Sequence, residues 1–155
     1  MELEHEYLVE ARCTAPRSGV VSAQAISPSI SFSAPPEFQG EPGRWTPEHF
    51  MVAAVASCFV STFSNMAQMS RLEYLTFELR AKGVISRAEG PWRFTEIRLS
   101  PRVTLQKEQQ RDLAVRLLEK ADKTCLIARS LNCKTVLEPS LKVEAELLPQ
   151  DLQIT

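Results

Sequence analysis

Residues 44–63 read RWTPEHFMVAAVASCFVSTF, and the rest of the chain is arranged around them. The stretch begins like a helix. Thr46 is a typical N-cap residue, Pro47 suits the first helical position, and Glu48 favours the positive end of the helix dipole. We therefore predict a long helix that begins at Thr46 and runs to about Ser70.

The segment after this cap, residues 50–56, is apolar throughout and leaves almost no polar face. A helix that is apolar on all sides is a buried one, so the pattern predicts the central core helix of the protein. Cys58 lies in its middle. A thiol in this setting is the first candidate for chemistry, and it is equally a candidate for an inert core residue.

The length of 155 residues predicts a single domain over 1–155, with a core at about 7–147 and a loose tail at 148–155. The net charge of −1 gives no electrostatic case for binding nucleic acid or an anionic membrane. The acidic start does not resemble a signal peptide, and the longest apolar run, residues 50–60, is about half a membrane span. We expect a soluble, cytoplasmic protein.

Alternating apolar and polar residues predict strands over residues 6–14, 20–25, 29–33, 75–85, 92–105 and 135–147. Pro101 indicates a bulge or a sheet edge within one of them. The charged, amphipathic segment 106–123 predicts a second long helix. Strands at both ends of the chain around two long helices predict an α+β fold in which an antiparallel sheet wraps on the helices.

The chain contains four cysteines: Cys13, Cys58, Cys125 and Cys133. In a reducing cytosol such residues are catalytic, redox-active, metal-binding or inert more often than they form permanent disulfides. No C-x-x-C spacing occurs and the two histidines lie far apart, so we predict no metal site. Cys13 is interpreted as having no role beyond its strand. Cys133 is interpreted as a packing residue of a strand, and the alternative is a second disulfide partner.

Cys58 and Cys125 occupy different kinds of predicted environment. Burial of Cys58 in an apolar helix would raise its pKa, so it needs a fixed cation or a hydrogen-bond donor nearby to react. Cys125 follows the second helix, where a side chain can move. One buried and one mobile thiol are typical of a two-cysteine peroxidase, in which a sulfenic acid condenses with the second thiol. The alternative is that both are packing residues.

Two cysteine-containing segments have a recognisable pattern: residues 46–58 read TPEHFMVAAVASC, and residues 117–131 read LLEKADKTCLIARSL. They resemble the first and the second cysteine motif of the OsmC/Ohr family (osmotically inducible protein C and organic hydroperoxide resistance protein). The turn PRSG at 16–19 is similar to its N-terminal hairpin with an arginine. The order and spacing of the three agree over residues 7–147.

The resemblance implies that Cys58 is the peroxidatic cysteine and Cys125 the resolving one. It implies that Arg17 stabilises the Cys58 thiolate and that Glu48 orients Arg17. Members of the family reduce hydroperoxides, organic ones especially, with no bound cofactor, and are recycled by dithiols such as dihydrolipoyl groups on a lipoylated protein. They are intertwined homodimers with active sites at the subunit interface.

Helix geometry bears on the dimer. Glu48 and Cys58 are ten positions apart on one predicted helix, which separates them by about 15 Å along the axis and about 80° around it. If both serve one site, Glu48 comes from the partner's helix; the alternative is that Glu48 only favours its own helix end. Apolar side chains near the thiol, which we take to be Phe50, Met51 and Phe59, predict a preference for alkyl hydroperoxides over hydrogen peroxide.

The chain also departs from the Ohr pattern. Cys125 is followed by Leu-Ile-Ala-Arg, not by the sequence of the Cys-Pro-x-Ser motif, so the chain is closer to the broader OsmC-like branch. Arg129 either competes for the thiolate or faces solvent. A redox-sensing or ligand-binding module without turnover is an alternative function. A cysteine hydrolase is a poor one, because His49 lies nine positions from Cys58 on the same helix.

Overall fold

The computed structural model describes residues 3–144 of the chain. Its contacts divide the chain into two compact units, residues 1–51 and 52–155, and each is described by itself. The single-domain organisation therefore stays a prediction. The predicted tail at 148–155 and the end of the last predicted strand lie outside the described residues.

The first unit contains a three-stranded antiparallel sheet in the order β1-β2-β3. Its strands are β1 (Glu10–Ala15), β2 (Ser18–Ala23) and β3 (Ile26–Ser33). The predicted hairpin is confirmed, with Ala15 pairing with Ser18 across a two-residue turn. Alternating apolar and polar residues are typical of a half-buried strand, but every residue of β1 is exposed, so that expectation is wrong. Within the described part of the first unit, no layer packs over the apolar positions of this strand.

Helix α1 (Pro47–Met69) begins where the sequence predicts. The Thr46 hydroxyl accepts the backbone N–H of His49 at 3.2 Å, and the Thr46 N–H donates to Nδ1 of His49 at 3.2 Å. This is a capping box in which histidine takes the place usually held by glutamate. His49 therefore fixes the start of the helix that carries Cys58.

The buried part of α1 is narrower than the sequence suggests. Val55, Phe59, Phe63 and Ala67 are buried at four-residue intervals, which is one face of a helix, whereas Val60 is 38% exposed. By length and composition α1 could cross a membrane, since an 18-residue window has mean hydropathy 1.5. Within the second unit and the start of the helix, 22% of that window is buried. The prediction of a core helix is confirmed, but one stripe of α1 alone meets the core, so its other faces are not buried as the apolar sequence suggests.

The sheet of the second unit is built on two long antiparallel strands, β4 (Tyr74–Ser86) and β5 (Arg93–Leu105). Two short strands, β6 (Lys134–Leu137) and β7 (Ser140–Val143), follow end to end along β5 and run parallel to it. The sequence predicts a single strand here and an antiparallel sheet. The structure has two strands and a sheet with a parallel edge.

Two prolines lie at the break between the short strands: Pro139 is in the gap itself, and Pro101 is on the segment of β5 opposite the gap. Pro101 is buried and pairs with Leu79 of β4 in regular register, so the expected bulge is wrong, but no residue of β6 or β7 pairs with Pro101 on its other side. On the other side of β5, β6 ends opposite Leu99 and β7 begins opposite Arg102. A proline has no N–H to donate to a ladder, and the gap between β6 and β7 lies where that donor is missing.

Helix α2 (Arg111–Thr124) follows a short 3-10 turn, and the four-residue helix α3 (Leu126–Arg129) comes directly after it. The α+β fold class is confirmed. The core of the second unit joins the stripe of α1 to β5 and α2, through the buried residues Val55, Phe59, Phe63, Ala67, Leu72, Ile97, Leu99, Val103, Leu105, Ala114, Leu117, Leu118, Ala121, Cys125 and Ala128.

Candidate functional site

The second unit brings the Cys58 and Cys125 side chains into hydrogen-bonding contact. Cys58 lies beside Phe59, at the edge of the buried stripe of α1, and is half-buried. Cys125 lies one turn beyond the buried Ala121 of α2 and is fully buried. The Cys125 Sγ is 4.0 Å from the backbone oxygen of Val55 on α1. The two thiols predicted to react together therefore meet where the end of α2 packs on α1.

The surroundings of Cys58 favour its thiolate. Burial opposes ionisation, but hydrogen bonds from the backbone of Ile127, from the Cys125 thiol, from the Thr62 hydroxyl and from the backbone of Leu126 outweigh it and lower the Cys58 pKa below its ordinary value. The contributing backbone groups lie at the start of α3. A lowered pKa increases the fraction of the nucleophilic form at neutral pH.

The surroundings of Cys125 have the opposite effect. Burial raises the pKa of Cys125 to about 11, although backbone hydrogen bonds from Ala128 and Ile127 act against the shift. The hydrogen bond to Cys58 and the negative charge of the Cys58 thiolate raise it further. Cys58 therefore ionises before Cys125, and when the pair has lost one proton the charge is on Cys58.

This arrangement corrects the environments predicted for the two residues. The sequence predicts a buried Cys58 and a mobile Cys125, but Cys58 is the more accessible thiol and Cys125 is enclosed. The reason is that α3 follows Cys125 at once and closes over it, with Ala128 also buried in the core. The assignment of Cys58 as the nucleophile is consistent with the corrected environments.

Sequence reasoning missed the groups that lower the Cys58 pKa. The sequence predicts that Cys58 needs a nearby cation or hydrogen-bond donor. Within the second unit, the groups that lower the Cys58 pKa are hydrogen-bond donors. The backbone amides of α3 carry no side-chain signature that a sequence could reveal. Thr62 could have been found, because a residue four positions after Cys58 on a helix faces the same way, and its Oγ1 is 4.0 Å from the Cys58 Sγ.

The predicted apolar mouth is partly wrong. Phe59 is fully buried and contacts Phe77, so it belongs to the core and lines no entrance. Phe50 stacks on Trp45 in the first unit, with ring centroids 5.8 Å apart. Leu126, whose backbone contributes a hydrogen bond to Cys58, has a side chain that is 67% exposed.

Arg17 lies in the first unit, in the two-residue turn between β1 and β2. Its side chain is exposed, and its backbone has φ of 63°, in the left-handed region that disfavours side chains other than glycine, asparagine and aspartate. Such a conformation costs of order 1 kcal/mol and is enriched at functional positions. Its role toward Cys58 stays a prediction.

Glu48 also lies in the first unit, in the first turn of α1. Its Oε2 atom is buried and has no hydrogen-bond partner among the described residues. Buried carboxylate oxygens are rarely left unpaired, because the lost hydrogen bond to water costs about 1–3 kcal/mol. The orientation of Arg17 by Glu48 stays a prediction.

The remaining candidates have local environments of their own. Cys13 is exposed on the edge strand β1, and its thiol donates to the Ala15 carbonyl at 3.2 Å. Cys133 is half-buried against the core, and burial raises its pKa. Arg129 is exposed, as the solvent-facing alternative predicts. Within residues 3–144, no three His, Cys, Asp or Glu side chains are grouped closely enough to hold a metal ion.

Comparison with known proteins adds to this description. The family model described as "OsmC-like protein" matches residues 40–140. The uncharacterized protein YmaD of Bacillus subtilis is 28% identical over 149 residues, which cover 92% of this chain and 99% of YmaD.

Solved structures share the fold. An OsmC-like protein of Vibrio cholerae matches with a TM-score of 0.78 at 21% identity, over 88% of this chain and 99% of its own. An organic hydroperoxide resistance protein, OsmC, of Legionella pneumophila matches with a TM-score of 0.69 at 18% identity, over 92% of this chain and 100% of its own. At these identities the two structures bear on the fold alone.

Proposed function

Because the chain belongs to the OsmC-like protein family, we propose that it is a thiol-dependent peroxidase that reduces organic hydroperoxides to alcohols. The observation that carries the proposal is the contact of two thiols whose pKa values move in opposite directions, down for Cys58 and up for Cys125. An organic hydroperoxide resistance protein of Legionella pneumophila has the same fold, which supports a peroxide-related role.

The first step uses Cys58 as the nucleophile. Its thiolate attacks the terminal oxygen of the hydroperoxide, an S–O bond forms, and the O–O bond breaks. The electron pair of that bond leaves with the alkoxide, which takes a proton from solvent and departs as the alcohol. Cys58 becomes a sulfenic acid and carries no charge.

The second step follows from this loss of charge. Burial keeps the pKa of Cys125 high throughout, but the contribution from the Cys58 thiolate disappears once Cys58 is oxidised. Cys125 therefore becomes easier to deprotonate only when a sulfenic acid is available to it. Its sulfur attacks the Cys58 sulfur, a disulfide forms, and the sulfenic oxygen leaves as water.

An external dithiol completes the cycle. It gives two electrons and two protons to the Cys58–Cys125 disulfide and becomes a disulfide itself, with no cofactor bound to the protein. The partly exposed Cys58 sulfur is the one that a reductant can attack, because Cys125 is enclosed. A dihydrolipoyl group on a lipoylated protein is the reductant class that we propose, in the cytoplasm, for a soluble protein.

We further propose that the active form is a homodimer in which Glu48 and Arg17 complete the site. The Oε2 of Glu48 has no hydrogen-bond partner within residues 3–144, which leaves an acceptor for a donor such as a guanidinium, and the positive φ of Arg17 supports a functional reason for that residue. A guanidinium held by a carboxylate would stabilise both the Cys58 thiolate and the departing alkoxide. The flanks of α1 that the chain leaves uncovered support a partner surface.

The test is a dithiol-coupled peroxidase assay with hydrogen peroxide, tert-butyl hydroperoxide and cumene hydroperoxide. We expect turnover by the wild type with a preference for the two organic substrates, none by Cys58→Ser, and a single alcohol-forming event without disulfide in Cys125→Ser. Cys133→Ser is the matched control and keeps wild-type turnover. A wild type that forms the disulfide but is not recycled by dihydrolipoamide or dithiothreitol would be a redox sensor and not a peroxidase.

A further inference from the structure

Two neighbouring hydroxyl groups on α1 contact different atoms of Cys58. The Thr62 Oγ1 is 4.0 Å from the Cys58 Sγ and is part-buried with it. The Ser61 hydroxyl donates instead to the Cys58 backbone oxygen at 3.0 Å, in an exposed position. The Thr62 hydroxyl therefore contacts the reactive sulfur, whereas the Ser61 hydroxyl contacts the backbone of Cys58.

The protonation state of Cys58 decides the direction of the contact with Thr62. A neutral thiol can donate or accept a hydrogen bond, so either atom can be the donor in the resting thiol form. A thiolate can only accept. When Cys58 is ionised, the Thr62 hydroxyl is therefore the donor, and hydrogen bonds to an ionised partner are stronger than those between neutral groups.

We propose that Thr62 is a positioning residue that donates its hydroxyl hydrogen to the Cys58 sulfur and holds that sulfur as a thiolate facing Cys125. The proposal depends on the role given above to Cys58 as the nucleophile, and it adds a side chain that the two cysteine motifs do not contain. The titratable group in contact with the Cys58 sulfur is Cys125, so the Thr62 contact acts on one partner of a coupled pair.

Three variants separate the hydroxyl of Thr62 from the rest of the side chain. Thr62→Val keeps the shape and removes the donor, Thr62→Ser keeps the donor and removes a methyl group, and Ser61→Ala removes the neighbouring hydroxyl that contacts only the backbone. The measurement is the alkylation rate of Cys58 by iodoacetamide between pH 5 and 10, followed on the Cys58 peptide by mass spectrometry so that the other cysteines do not contribute.

We expect the Cys58 alkylation profile of Thr62→Val to move to higher pH by about half to one unit, which lowers the rate about three- to tenfold at a pH well below the wild-type midpoint. Thr62→Ser returns the profile to that of the wild type, and Ser61→Ala leaves it within about twofold, since surface hydroxyls away from the sulfur do not affect its ionisation. Thermal unfolding of each variant shows that the comparison is made on folded protein.

The proposal is overturned if Thr62→Val has the wild-type profile, if Thr62→Ser shifts as far as Thr62→Val, or if Ser61→Ala shifts equally. Its failure is separate from failure of the proposed function. A shifted profile in a protein that reduces no hydroperoxide would remove the peroxidase and leave the role of Thr62. Peroxidase turnover together with an unshifted alkylation profile in Thr62→Val would remove the role of Thr62 and leave the peroxidase function.

Discussion

Replacing Cys125 by alanine and by serine tests whether the Cys125 thiol promotes ionisation of Cys58 as well as attacking the Cys58 sulfenic acid. Both variants abolish the disulfide with Cys58. Only the alanine variant removes the hydrogen bond that the Cys125 thiol makes to Cys58, because a serine hydroxyl can donate in its place. The two variants therefore differ in one property, the ionisation of Cys58.

The magnitude follows from the contacts of Cys58. Burial opposes its ionisation and several hydrogen bonds favour it, with Cys125 contributing the one from a side-chain thiol. Loss of one hydrogen bond to a charged group raises the pKa by about one unit, or about 1.4 kcal/mol. At a pH well below the wild-type midpoint of Cys58, the thiolate fraction, and with it the rate of the first step, falls about tenfold. Removing a sulfur from a fully buried site also costs about 1–2 kcal/mol of stability, so melting is monitored in parallel.

The assay is the consumption of one equivalent of cumene hydroperoxide as a function of pH, with dimedone trapping of the sulfenic acid at Cys58. At a pH well below the wild-type midpoint, we expect Cys125→Ser to oxidise Cys58 at nearly the wild-type rate and Cys125→Ala to be about tenfold slower. The rates converge at high pH, where Cys58 is ionised in every variant. Equal rates for the alanine and serine variants across the whole pH range would refute a contribution of Cys125 to the ionisation of Cys58.

Three further predictions concern the framework of the site. Arg17→Asn accepts the left-handed backbone more easily, so we expect unchanged or slightly higher melting temperature together with loss of most peroxidase turnover; retained turnover would exclude Arg17 from the site. Gly83→Val places a side chain where even a Cβ would lie 2.6 Å from atoms of Phe94 and Val52, and we expect urea denaturation to show a loss of about 1–3 kcal/mol or more. Thr46→Ala removes the N-cap of α1 and should lower the free energy of unfolding by about 1 kcal/mol in the same urea denaturation. An unchanged free energy of unfolding would show that the cap does not stabilise the helix.

The elements of the fold could be predicted from local signals. The threonine cap and the proline after it predict the start of α1, and period-two alternation predicts the long hairpin of β4 and β5. The division of the last strand into β6 and β7 could have been predicted from Pro139, which lies between them and has no N–H to donate to a ladder. The prediction of a single strand missed that signal. The number of buried faces of α1 depends on what packs around it, and composition alone does not contain that information.

The sequence identified the two cysteines of the site but predicted the wrong degree of burial for each of them. Helical periodicity could have corrected the expectation for both cysteines. Cys125 continues the four-residue spacing of the buried Leu117 and Ala121, which predicts burial, whereas Cys58 is one position away from the buried Phe59 and so lies at the edge of its stripe. The contribution of the α3 backbone could not be predicted, because backbone amides are common to every residue and only the fold brings these to Cys58.

The exposed Cys13 on β1 affects how oxidation of this protein is counted. Its sulfur is open to solvent on an edge strand, while the sulfur of Cys125 is enclosed. A thiol-reactive dye should therefore modify Cys13 in the native protein and reach Cys125 only after denaturation. Dye uptake before and after unfolding distinguishes intermolecular cross-links through Cys13 from the intramolecular disulfide. In a Cys13→Ser variant, the number of peroxide molecules consumed per chain can be measured without a contribution from Cys13.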